Sequence, residues 1–275
     1  EIMSNIFSNI RWGILPLVLV TTTAMAMSTP ASAMSTVNFS DSNLTHQEIK
    51  ESLDNLKREH SSILNSDPRS SIEKALSPAP SIPSNPADGV NIGDINISLP
   101  KSDLASSSTP LSEGAYTYPA EGDSANTVIA SSGAVQMLTT IANKNADQNY
   151  SYELSLSPGQ YLQATEDGGA AVFDASGQMH LKVAKPWAKD SNGMDIPTHY
   201  VVDGNTLTQI VEHTSVPNAA YPVVADPFWL APWAIRCLFG IGVNTTTISR
   251  IMSFGSPEAI LAGVGYAGLR CIMGR

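Results

Sequence analysis

A chain of 275 residues with 42% apolar side chains holds enough material for one or two packed domains. Its 25 acidic and 15 basic residues leave a formal net charge of -10, which argues against a nucleic-acid partner because phosphates require a basic surface. The charge is uneven: Arg236, Arg250, Arg270 and Arg275 against Glu258 put 228–275 at +3, Glu1 and Arg11 cancel in 1–33, and 34–227 therefore carries -13.

Residues 1–33 read as a secretory signal. Arg11 supplies positive charge, Trp12 to Val20 is an apolar run, and Ala31-Ser32-Ala33 is a small-x-small cleavage site, so cleavage is expected after Ala33. The run is shorter than the ~20 residues of a membrane span, which weighs against an uncleaved anchor. Localisation outside the cell, free or associated with the envelope, is the expectation.

The next segment, 34–76, contains one amphipathic helix over 44–65. Thr45 and Glu48 have capping-box spacing, with Leu44 and Ile49 placed as a hydrophobic staple. Ile49, Leu53, Leu56, Ile63 and Leu64 form one face. Such a helix docks on its own protein; a partner-binding or pro-segment helix is the alternative. The stretch 77–126 is rich in Ser, Pro, Asn and Asp and reads as disordered linker. Within it Val90, Ile92, Ile95, Ile97 and Leu99 alternate with polar residues, with a register break at Gly93-Asp94 that reads as a bulge. This is either a strand added to the following sheet or an adhesive piece of tether.

From 127 to 227 short strand patterns recur between turn residues, as in an antiparallel meander. Strands are predicted over 151–156, 161–166, 170–174, 179–187, 198–202 and 206–213, the last two joined by Asp203-Gly204 as a hairpin turn. His180, His199 and His213 are the histidines of this module. They lack the helical His-Glu-x-x-His spacing of a zinc site, and no Ser stands in a nucleophile-elbow pattern, so neither a metal nor a catalytic site is predicted.

Lys185-Pro186-Trp187-Ala188-Lys189-Asp190, Ile196-Pro197-Thr198-His199-Tyr200, Asp203-Gly204-Asn205-Thr206-Leu207 and Tyr221-Pro222-Val223-Val224-Ala225-Asp226-Pro227 resemble a module of uncharacterised secreted actinobacterial proteins. There a similar β-rich stretch precedes a short hydrophobic C-terminal region, often with two cysteines. The resemblance covers about a third of the chain and implies export and a modular layout, with no activity attached.

The tail, 228–275, is apolar and Gly-rich and holds both cysteines. In an exported chain Cys237 and Cys271 are expected to pair, which the chain-entropy argument values at ~3–4 kcal/mol. Ser256-Pro257-Glu258 is a strong helix start. Ala259, Gly263, Ala267 and Cys271 then give that helix a small-residue face, so a disulfide-linked helical hairpin is predicted. Gly263-Val264-Gly265-Tyr266-Ala267-Gly268 fits the dinucleotide fingerprint only by letter, because a helix start precedes it and no acid follows, so no cofactor is expected.

The fold expected is thus α+β: amphipathic helix, linker, β-meander and helical tail. Its predicted function is that of a secreted, non-enzymatic precursor whose tail is a membrane-active, bacteriocin-like peptide. Phe228, Trp229, Trp233, Arg236, Phe239, Arg250 and Arg270 would then touch the membrane. The partners would be a target membrane or cell envelope and a processing protease. The alternative is an envelope or interaction protein in which the tail is structural.

Overall fold

The computed structural model describes residues 44–60, 80–112 and 114–273. The signal segment with Ala31 and Ala33, and the helix positions Ile63 and Leu64, lie outside the described residues. The α+β architecture is found, with strands arranged in two antiparallel sheets.

The first helix, α1 (His46–His60), begins as its sequence requires. The Thr45 N–H donates to Glu48 Oε2 at 2.9 Å and the Glu48 N–H donates to Thr45 Oγ1 at 3.3 Å, so each residue satisfies an orphan donor of the other. Ile49, Leu53 and Leu56 are buried, and the helix docks on its own protein.

The Ser/Pro/Asn-rich stretch 77–126 is, over its described residues, part of the fold rather than a linker. It contributes β1 (Val90–Ile92), β2 (Ile95–Ile97), β3 (Thr109–Ser112), β4 (Ala115–Tyr118) and the start of β5 (Ser124–Ala130). Gly93-Asp94 is a two-residue hairpin turn rather than a bulge: Ile92 pairs with Ile95, and Gly93 has φ +72°. The turn explains why the apolar alternation shifts register there. Polar composition misled because edge strands and turns are polar too; Val90, Ile92, Ile95 and Ile97 are fully buried.

The remaining strands are β6 (Ala134–Ile141), β7 (Asn149–Ser155), β8 (Tyr161–Ala164), β9 (Ala170–Phe173), β10 (Met179–Val183), β11 (Ala188–Lys189), β12 (Thr198–Asp203), β13 (Thr206–Val211), β14 (Val223–Ala225) and β15 (Phe228–Leu230). Of the neighbouring strands a meander would pair, β8–β9, β9–β10 and β12–β13 do form hairpins, whereas β7 and β8, which flank Ser157-Pro158-Gly159-Gln160, lie in different sheets. The connectivity is not one simple meander, however. One sheet runs β1-β2-β7-β13-β12, and the other runs β3-β4-β5-β6-β15-β10-β9-β8, with β14 on β6 and β11 on β14.

Alternation along the strands shows how the layers stack. On β6 Ala134 and Leu138 join one apolar cluster and Val135, Met137 and Ile141 the other; on β15 Phe228 and Leu230 divide from Trp229 in the same way. The first cluster contains α1 and the C-terminal helices, and the second contains the five-stranded sheet. The large sheet is therefore the middle of three layers, with helices on one face and the smaller sheet on the other.

The C-terminal helices are α2 (Pro232–Gly240), α3 (Thr245–Met252), α4 (Pro257–Gly263) and α5 (Gly265–Met273). Ser256 caps α4 as predicted, its side chain accepting from the Ala259 N–H at 3.4 Å. The single long helix expected after it is broken by Gly265, with φ +67°, so the small-residue stripe does not run along one continuous face.

Candidate functional site

Cys237 in α2 and Cys271 in α5 form a disulfide. They join the two helices that pack most closely within the tail, where Gly268 leaves room: a Cβ there would stand 3.2 Å from Leu238 Cδ2.

A boundary between module and tail at 227 and 228 is not how the chain is built. Phe228 and Trp229 belong to β15, which pairs with β6 on one side and β10 on the other, and both are 0% exposed. Contact with a membrane through these two residues would require pulling a central strand out of the sheet. The helices after them are clamped to the β5–β6 turn. The Gly133 N–H donates to Ile272 O at 2.6 Å, the Ala231 N–H donates to Gly133 O at 2.9 Å, and Trp233 Nε1 donates to Ser132 O at 2.6 Å. Only glycine fits at 133, since a Cβ would come within 2.6 Å of Cys271 O. Trp233 and Phe239 are half-buried, whereas Arg236, Arg250 and Arg270 are exposed. Ile241, Phe254 and Tyr266 are 46%, 53% and 80% exposed. The outward surface of the tail thus combines arginines with large apolar side chains.

The histidines do not assemble into one site. His180 Nε2 lies 2.9 Å from Asp174 Oδ2, and His199 Nδ1 lies 3.5 Å from Glu212 Oε1 on an exposed hairpin. His213 is buried, with Nδ1 2.7 Å from the Tyr221 hydroxyl and Nε2 3.2 Å from Asp147 O. A carbonyl only accepts, so Nε2 carries the proton and Nδ1 accepts from Tyr221. Burial pushes the His213 pKa down and keeps the ring neutral. Among the described residues no group of three or more His, Cys, Asp or Glu is placed to hold a metal.

The fold also encloses two buried polar centres. Lys182, on β10, is fully buried, and its ammonium donates to Thr165 Oγ1 at 2.8 Å, Asp167 Oδ1 at 2.9 Å and Val183 O at 3.1 Å, which uses all three protons. Burial draws the Lys182 pKa down against the opposing pull of Asp167. Burial also works against the Asp167 charge, but Thr165 and Lys182 outweigh it and hold that carboxyl below its ordinary range. Beside the pair is a shallow cleft of about 320 Å³ lined by Gln163, Thr165, Phe173, Thr245 and Ser249. This is near the lower end for ligand pockets, ~300 Å³.

The second centre is Asp226, 0% exposed, between β14 and β15. The two short strands keep one register along β6, with Ala225 opposite Thr139 and Phe228 opposite Gln136. They are one strand interrupted where Pro227 has no N–H to donate. The Asp226 carboxyl accepts from the Trp187 N–H at 3.2 Å (Oδ1) and from Gln136 Nε2 at 3.4 Å (Oδ2). Tyr200, reaching over from the smaller sheet, donates its hydroxyl to the Asp226 backbone carbonyl at 3.5 Å. Burial raises the Asp226 pKa well above the carboxylate range, against the hydrogen bonds from Trp187 and Gln136, and so favours the neutral acid. The sequence did hold a signal for this site, an ionisable residue inside the apolar run Val223-Val224-Ala225-Asp226-Pro227-Phe228.

No protein family, curated protein or solved structure matches the chain.

Proposed function

We propose that the chain is an exported, non-enzymatic protein that binds an anionic lipid surface of the cell envelope through the outer side of its C-terminal helices, while those helices remain folded on the sheet. Export rests on the signal pattern of 1–33. The observation that carries the binding reading is the exposure of Arg236, Arg250, Arg270 and Tyr266 on the C-terminal helices and of Ile241 and Phe254 in the turns that follow α2 and α3. Basic and apolar groups together are what an anionic interface attracts. The acidic remainder is repelled from such a surface, which orients the molecule tail-first. Among the described residues no helix is long and apolar enough to cross a membrane, so the contact proposed is peripheral. Full burial of Phe228 and Trp229 favours an attached tail over a freely acting peptide.

Vesicle flotation at low ionic strength tests this. The chain is expected to float with anionic vesicles and to stay behind with zwitterionic ones. Replacing Arg236 and Arg250 by Ala removes ~1 kcal/mol each near the surface, so binding should weaken roughly 30-fold. Equal flotation with both lipids, or none with either, would sink the proposal.

A further inference from the structure

An Asp-Pro junction has chemistry that other peptide bonds lack. Its nitrogen is a tertiary amide with no N–H, and an Asp side-chain oxygen can reach its own carbonyl carbon by closing a five-membered ring, an intramolecular attack of high effective concentration. The chain has two such junctions, Asp67-Pro68 and Asp226-Pro227, of which the first lies outside the described residues.

The second sits in an organised setting. The strand is held on both sides of the bond: the Met137 N–H donates to Pro227 O at 2.9 Å, and the Asp226 N–H donates to Trp187 O at 3.3 Å. Trp187 N–H and Gln136 Nε2 each fix one carboxyl oxygen. The Tyr200 hydroxyl points at the carbonyl oxygen that would gain negative charge. Burial raises the Asp226 pKa, which favours a proton on the carboxyl.

We propose that folding assembles a self-cleaving junction at Asp226-Pro227, with the Asp226 side chain as proton donor and nucleophile and Tyr200 as oxyanion donor. The carboxyl proton passes to the Pro227 nitrogen, and the freed side-chain oxygen attacks the Asp226 carbonyl carbon. The oxyanion accepts from Tyr200, the C–N bond breaks, and Pro227 leaves as a secondary amine. The cyclic anhydride left on Asp226 is opened by one water, which restores the side-chain carboxyl and leaves a new α-carboxyl at the cut; nothing is oxidised or reduced. This is a single event on the chain's own backbone, without turnover of a substrate.

Both cysteines lie on the C-terminal side of the cut, so the disulfide closes the tail on itself and does not tether it to the body. The product is a cystine-closed segment beginning at Pro227, still hydrogen-bonded to β6 and β10 through β15. The inference is independent of the lipid contact proposed above.

The test is intact-mass analysis of the purified, oxidised full chain, incubated at neutral pH with inhibitors of every protease class and denatured before measurement. The expected result is a fragment starting at Pro227, formed with a first-order rate constant that does not change with chain concentration, and no cut at Asp67-Pro68. Tyr200→Phe should slow it roughly 100-fold. A chain that stays whole while circular dichroism shows it folded overturns the proposal, as does a rate constant that rises with concentration. Equal cutting of urea-unfolded chain at both junctions would show generic lability and also overturn it. An unchanged rate in folded Tyr200→Phe removes Tyr200 from the reaction.

Discussion

β6 and β7 are similar in length and opposite in burial. All eight residues of β6 are buried, whereas β7 alternates exposed and buried from Asn149 to Ser155. Both follow the same pleat; the difference is what covers the second face. β7 belongs to the outer sheet, with water on one side, while β6 is central to the middle layer, with the smaller sheet on one face and helices on the other. The hydrophobic tail exists in part because the large sheet has a second apolar face to bury. Removing it would strip the C-terminal helices from the apolar cluster that Ala125, Ala134 and Leu138 share with them and with α1.

The largest effect should come from the strand that joins tail to sheet. Trp229 is fully buried and packs edge-on against Tyr152 of β7, with ring centroids 6.0 Å apart, so it ties the two sheets together. Trp229→Ala is expected to cost ~3–5 kcal/mol by urea unfolding. A loss below ~1 kcal/mol would mean that β15 contributes little to the fold, and it would revive the reading of the tail as a detachable appendage.

A second contrast lies in the two buried ionisable groups. His213, below β13 in the smaller sheet, is neutral when folded, and its unfolded counterpart takes a proton near pH ~6.5. The unfolded state therefore binds more protons below that pH, and the His213 contribution is present above ~6.5 and lost on acidification. Asp226, in the large sheet, has the reverse sign. The folded state keeps the proton that an unfolded carboxyl gives up near ~3.9, so its contribution is full below ~3.9 and declines as pH rises. Replacing His213 by Gln should flatten the stability profile between about pH 5 and 7, where one group changes the slope by at most ~1.4 kcal/mol per pH unit. Parallel profiles for the two proteins would show that His213 does not titrate with folding.

What could be read in advance follows the same division. Period-two alternation and turn residues located β8, β9, β12 and β13, because these strands keep one wetter face or end in Gly turns. Capping chemistry located α1 and α4, since Thr45-Glu48 and Ser256-Pro257 are local signals. The role of Phe228-Trp229-Leu230 was illegible: three consecutive apolar residues fit a helix start as well as a doubly buried strand, and only the partners β6 and β10 decide. Lys182 and Asp226 carry no local signature of their role for a related reason. A lone charge in an apolar strand gains meaning only when Asp167, or Gln136 and Trp187, arrives from elsewhere in the chain.

The smallest expected effect is the control for the whole comparison. Glu153 lies on the exposed face of β7, opposite Thr206 of β13, and its backbone N–H donates to Ser98 Oγ at 2.8 Å. Glu153→Thr keeps that backbone bond, suits the strand, and places two threonines across from each other, so stability should change by less than ~0.5 kcal/mol. The neighbouring buried positions Tyr152 and Leu154 have no such freedom. A loss above ~1.5 kcal/mol at Glu153 would show that the outer face of the small sheet is covered in solution, and the distinction between a wet sheet and a dry one would fail at its wet end.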